Sequence, residues 1–116
     1  AYNDAAGLTA AFNRNLIARI DRELDGDLDP AAFTHLAFYD PDQGRVEMHL
    51  ESRRARRAHV SGVAFDFAAG ETIHTENSYK YGLDQFRRLG QSAGWQTKAV
   101  WTDPDGLFSL HLLAGD

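Results

Sequence analysis

Apolar residues recur at Leu8, Phe12, Leu16, Ile20 and Leu24, with Ala11 and Ile17 beside them, while Arg14, Arg19, Asp21, Arg22 and Glu23 fall elsewhere. That spacing predicts one stripe of an amphipathic helix reaching about Leu24, capped by Asn3 or Asp4 and ended by Asp25-Gly26-Asp27. Asp29-Pro30 reads as a cap followed by proline at a first helical position, so a short helical turn is expected over Pro30 to Phe33. From His35 the period falls to two. His35 to Tyr39, the turn Asp40-Pro41-Asp42-Gln43-Gly44 and Arg45 to Arg53 predict strand, turn and strand, with Val46, Met48 and Leu50 alternating against Glu47, His49 and Glu51. A third strand is expected through His59 to Phe67, with Val63, Phe65 and Phe67 on one face and Gly62 as a bulge.

Ala68-Ala69-Gly70 then turns the chain into a fourth strand, Ile73 to Tyr81. A second helix is expected from Gly82 or Leu83 to Gly94, with Leu83, Phe86, Leu89 and Ala93 facing inward and Trp95 at its exit. Gln96 to Thr102, the turn Asp103-Pro104-Asp105-Gly106 and Leu107 to Leu113 form a closing hairpin. The fold class is α/β, more narrowly an α+β piece: an antiparallel sheet with two main helices and a closing β-hairpin, in a single domain over residues 1–116.

The fourth strand carries most of the candidate chemistry. Regular alternation puts Ile73, Thr75, Asn77, Tyr79 and Tyr81 on one face and His74, Glu76, Ser78 and Lys80 on the other. Glu76 and Ser78 would then project side by side, roughly 6.5 Å apart, close enough to converge on a small ring with two hydrogen-bonding nitrogens. The competing reading is the wet face of a half-solvated strand.

Composition narrows the classes. At 116 residues with 43% apolar content the chain suits one folded domain, and a net charge of −5 argues against nucleic acid or an anionic membrane as partner. No stretch is long and apolar enough to span a bilayer, no signal peptide is visible, and the absence of cysteine removes disulfides, thiolate nucleophiles and cysteine zinc sites. Arg53, Arg54, Arg56 and Arg57 form a basic run at a strand tip, without interleaved aromatics, and read as a solvated tip. His74 with Glu76 has same-face spacing for a metal, but no third ligand is evident among His35, His49, His59 and His111, so no metal site is assigned. Ser78 and Ser109 lack a nucleophile-elbow context.

Several blocks occur in one order: Tyr2-Asn3-Asp4-Ala5-Ala6-Gly7-Leu8-Thr9-Ala10-Ala11-Phe12-Asn13-Arg14-Asn15, Arg45-Val46-Glu47-Met48-His49-Leu50, Gly70-Glu71, Thr75-Glu76-Asn77-Ser78-Tyr79-Lys80-Tyr81 and Trp101-Thr102-Asp103. Together they resemble the C-terminal third of the L-histidine Nα-methyltransferases of ergothioneine biosynthesis. The resemblance implies an enzyme that trimethylates the α-amino group of L-histidine to hercynine with S-adenosylmethionine, and a cytoplasmic location is the default expectation from composition. It implies that Glu76 and Ser78 hold the imidazole with Asn77 between them, that Tyr2 contacts the amino-acid end of the substrate and that Met48 lines the ring pocket. No residue of this segment is assigned a catalytic role, because methyl transfer from a sulfonium asks mainly for a positioned, neutral amine.

The chain is too short for a complete methyltransferase and has no Gly-rich loop after a first strand, so S-adenosylmethionine is expected to be bound by a missing N-terminal half. A start at Ala1 fits an excised piece, inactive alone, that exposes apolar surface and self-associates. Two other readings stay open: the same methyltransferase group acting on another amino acid or amine, and a free-standing small-molecule binding module.

Overall fold

The protein is described from a computed structural model, over residues 2–115. It divides into two compact units, one through Tyr79 and one from Lys80.

In the first unit, helix α1 runs Leu8–Glu23 and starts later than its expected caps. Asp4 caps a preceding turn instead: its carbonyl and carboxylate oxygens both accept from the Gly7 N–H, at 3.1 and 3.0 Å. Gly7 takes the helix N-cap in the left-handed conformation, φ 67, which glycine adopts without a Cβ penalty. The buried face of α1 is Ala10, Asn13 and Ile17. This corrects the expected stripe, because Leu8 and Phe12 are each 72% exposed and Leu16 and Leu24 are exposed as well. The pattern misleads because burial follows what lies opposite the helix. A buried asparagine that finds a partner belongs to the inner face as firmly as an isoleucine.

Asp29 accepts from the Ala31 N–H and opens a single 3-10 turn, Pro30–Ala32. Five strands follow: β1 (Phe33–Asp40), β2 (Arg45–Ser52), β3 (Arg56–Val60), β4 (Val63–Phe67) and β5 (Thr72–Tyr79). β1, β2 and β5 form an antiparallel sheet in the order β1-β2-β5, and β3 pairs with β4 alone. The continuous third strand expected through His59 to Phe67 is therefore a hairpin. Ser61 and Gly62 have φ of 50 and 78, and a two-residue loop with both φ positive has the twist that reverses a β-ladder. Gly62 turns the chain where a bulge was expected.

The bulge lies in β5. Met48 pairs with Glu76 and His49 with His74, which leaves Thr75 as the extra residue. The Thr75 hydroxyl donates to the Met48 carbonyl at 3.0 Å. Alternation restarts there, so Ile73, Glu76 and Ser78 share a face with Leu50, Met48 and Val46. His74 and Asn77 share the opposite face with His49 and Glu47, and the His74 Nε2 lies 2.6 Å from the Asn77 Oδ1. The regular-strand expectation that put His74 beside Glu76 is thus overturned by one inserted residue.

Ile17, Leu28, Phe33, Leu50 and Ala58 form the buried core of this unit, with Ile20, Val60, Phe67 and Ile73 packed around them. Phe33 meets Phe67 edge to face, with centroids 5.6 Å apart.

In the second unit, α2 (Leu83–Ser92) is followed by β6 (Trp95–Thr102) and β7 (Ser109–Gly115), paired antiparallel. The Gln85 side chain accepts from the Gly82 N–H, and Gly94 at φ 83 ends the helical segment near its expected limit. The Asp103 carboxylate closes the hairpin by accepting from the Phe108 and Asp105 N–H groups. Of the expected inward face of α2, Leu83 and Leu89 are exposed, and Phe86 is half-buried against the rings of Tyr81 and His111. No described residue of this unit is fully buried. The chain is α+β, with two helices, antiparallel strands and a closing hairpin, although its strands fall into three separate sheets.

Candidate functional site

The bulged strand brings Glu76 to the side of the sheet that α1 covers. An open cleft of about 260 Å³ is lined by Tyr2, Leu8, Thr9, Phe12, Met48 and Glu76. A second hollow of about 330 Å³ continues along α1 past Asn15, Leu16 and Arg19, with Phe12 and Glu76 lining both. Met48, 1% exposed, is the cross-strand partner of Glu76 and forms an apolar wall beside the carboxylate. The Tyr2 and Ser78 hydroxyl oxygens are 2.9 Å apart.

Of the five residues expected at the site, Tyr2, Met48 and Glu76 line this cleft, and Ser78 stands beside it through its contact with Tyr2. Asn77 does not: its side chain bonds His74 on the other face. The cleft offers a carboxylate that only accepts, the Tyr2 and Thr9 hydroxyls that donate or accept, with the Ser78 hydroxyl against Tyr2, and a polarizable thioether wall. That set can hold a small ring with an N–H, and a ligand reaching Ser78 must share its hydroxyl with Tyr2.

Between β1 and α1 sits a buried imidazole that the sequence patterns do not flag. His35, on β1, has Nε2 3.1 Å from the Asn13 Nδ2 and Nδ1 3.2 Å from the Asn3 Oδ1. The Asn13 amide donates to Nε2, so the ring is neutral with its proton on Nδ1, donating to Asn3. Burial lowers the His35 pKa below its ordinary 6.5; the nearby Arg14 lowers it further and Glu76 partly opposes both. Its polar partners lie 32 positions upstream and 22 positions upstream, too far for a local signal.

A pH dependence follows. Below pH 6.5 the unfolded chain takes up a proton at this histidine while the folded chain resists it, so this contribution is complete above 6.5 and is lost as pH falls toward the lowered folded value. Urea denaturation between pH 8 and 5 is expected to show stability falling on the acid side, with a shallower fall in His35→Gln. An identical pH profile in the variant would refute the assignment.

The opposite face holds a second polar cluster. Arg45 binds the Glu47 carboxylate through Nη2 at 2.7 Å and lies over the Tyr79 ring, 5.4 Å from its centroid. Glu47 is buried, and its pKa is held low first by the Arg45 bonds and then by the His49 bond. His49 is stacked between Phe38 and His74, the two imidazoles 4.3 Å apart and within 15° of parallel. Ligand atoms of Glu47, His49 and His74 lie within 4.8 Å of one another, but lone pairs in two nearly parallel planes do not converge on one ion. The arginine run is partly spent on structure. Arg56 donates to the Asp27 and Leu28 carbonyls, and Arg57 pairs with Asp66 at 2.7 Å. No described helix is long and apolar enough to cross a membrane.

The sequence is 45% identical over 114 residues to a protein of Mycolicibacterium smegmatis named histidine N-alpha-methyltransferase, covering 97% of this chain and 36% of that protein. It is 40% identical over 116 residues to the protein of the same name from Mycobacterium tuberculosis, covering 98% of this chain and again 36% of the relative. The chain thus spans about a third of the length of the curated relatives it matches. The family described as histidine-specific, SAM-dependent methyltransferase matches residues 1–115, and the chain belongs to that family.

Proposed function

We propose that this chain is the histidine-recognition part of a longer enzyme that transfers methyl groups from S-adenosylmethionine to the α-amino nitrogen of L-histidine, giving hercynine. The observation that supports this reading is that Tyr2, Met48 and Glu76, from positions far apart in the chain, line one cleft, with Ser78 bonded to Tyr2 beside it. The Glu76 carboxylate accepts the ring N–H, Ser78 serves the second ring nitrogen directly or through water, and Met48 walls the ring. Tyr2 stands at the amino-acid end, where a phenol fixes the carboxylate and so the line of the amine. Asn77, whose side chain is bonded to His74 on the opposite face, is left without a part in holding the ring.

Among the described residues no parallel strand, Gly-rich turn and helix form a βα unit, so no residue of this chain is assigned to S-adenosylmethionine. When bound elsewhere in the enzyme, that cofactor supplies the methyl group. The residues here bind and orient the acceptor.

The test is an assay of the full-length enzyme with S-adenosylmethionine and L-histidine, with products identified by mass spectrometry. The expected product carries its new methyl groups on the α-nitrogen. Methylation on the ring, no product, or equal turnover of other amino acids would overturn the reading.

The isolated chain is also expected to self-associate. Leu8 and Phe12 in the first unit, and Leu107, Phe108 and Leu110 in the second, are more than half exposed, and surfaces of that kind rarely stay uncovered. A mass above the monomer in concentrated solution by light scattering is the expected result; a monomer throughout would refute it.

A further inference from the structure

We infer that His35, with Asn3 and Asn13, is a positioning device that seats Tyr2 in the substrate cleft. The inference rests on the histidine-recognition reading of that cleft and adds three residues that lie outside the lining around Tyr2.

Tyr2 lies in a segment of turns before α1. A phenol on such a segment orients a substrate only if the segment itself is held. The hold is visible at the next residue, where the Asn3 Oδ1 accepts from the His35 Nδ1 at 3.2 Å. The other ring nitrogen accepts from Asn13, on the buried face of α1. The imidazole is a rigid spacer bonded at both nitrogens, so it fixes Asn3 relative to the helix and sheet together. The ring and the Asn13 amide are both almost fully buried, at 4% exposure each, so solvent does not compete for their bond.

An apolar residue at position 35 would fill the same space, and a satisfied polar network in a core adds little net stability over such a residue. What it adds is a single geometry. Here that geometry ends one residue from the phenol bonded to Ser78.

The test uses Asn3→Ala, His35→Gln and the double variant in the full-length enzyme. Asn3 is exposed, so Asn3→Ala cuts the tether without opening the core. Loss of one such hydrogen bond is expected to raise KM for L-histidine about 5-fold, with a smaller effect on kcat. Because both changes break the same tether, the double variant is expected to be no worse than the weaker single. Asn3→Ala is also expected to do nothing further in a Tyr2→Phe background.

An unchanged KM in Asn3→Ala, or effects that multiply in the double variant, would overturn the inference while leaving the histidine reading intact, provided the wild type turns over histidine. A wild type that ignores histidine would sink the reading. The positional claim is then decided by the Tyr2 to Ser78 proximity in NMR spectra of this chain, expected to weaken in Asn3→Ala; unaltered proximity refutes it. Should His35→Gln fail to fold, Asn3→Ala and the Tyr2→Phe background decide the matter by themselves.

Discussion

Glu76→Ala in the full-length enzyme is expected to lower kcat/KM for L-histidine by roughly 10- to 150-fold, the worth of one hydrogen bond to a charged group. The carboxylate is the one charged acceptor among the residues lining the cleft, and it stands beside Met48, where an imidazole N–H would lie. Glu76 is exposed and outside the buried core, so the variant should melt with the wild type. The loss should therefore be specific. An analogue of histidine whose ring has no N–H is expected to be a poor substrate for the wild type and to be scarcely affected by the substitution, so discrimination between the two compounds should collapse. Glu76→Gln, which keeps an accepting oxygen without the charge, should fall between wild type and alanine. A Glu76→Ala enzyme that keeps both its rate and its discrimination would show that the ring is held elsewhere.

Much of this fold was readable in the sequence, and the parts that were not have a common cause. Turns were legible because their signals are local. Asp40 accepts from the Asp42 and Gln43 N–H groups, Gly44 takes φ 64, and Asp103 closes the last hairpin with its own carboxylate. The second helix has its start and end written in Gly82 and Gly94. The bulge at Thr75 has no such signature, because an extra residue is defined only against the partner strand that skips it. One unpaired residue was enough to separate His74 from Glu76 and to bring His74 onto the face of Asn77, which alternation alone sets opposite Glu76. The buried side of α1 was hidden for the same reason. Asn13 belongs there because His35 lies opposite, and the exposed Phe12 looks no different in a hydrophobic pattern from the buried Ile17. Pairings across long separations, such as Tyr2 with Ser78 at 76 positions, follow from the fold and not from periodicity.

Phe33→Ala is expected to destabilise the chain by about 3–5 kcal/mol, the range for deleting a buried aromatic whose surroundings collapse only in part. Phe33 is 0% exposed, is the largest fully buried side chain, and loses its edge-to-face contact with Phe67 when truncated. The core cluster it belongs to draws on α1, β2, β3 and β4 as well as its own strand, so the surroundings cannot all move in to refill the space. Against a typical domain stability of about 5–15 kcal/mol the loss is large enough to leave a sizeable unfolded fraction. Phe12→Ala is the instructive control. If the Leu8, Phe12, Leu16 stripe faced the core, removing this ring would cost as much as removing Phe33. Since Phe12 is 72% exposed, the cost is expected to stay within about 0.5 kcal/mol, as for surface substitutions in general. Urea denaturation of both variants, at concentrations where the chain is monomeric, separates the two possibilities. Equal losses would mean that α1 is rotated from the orientation described here, and with it the placement of Asn13 against His35 and of Phe12 beside Glu76.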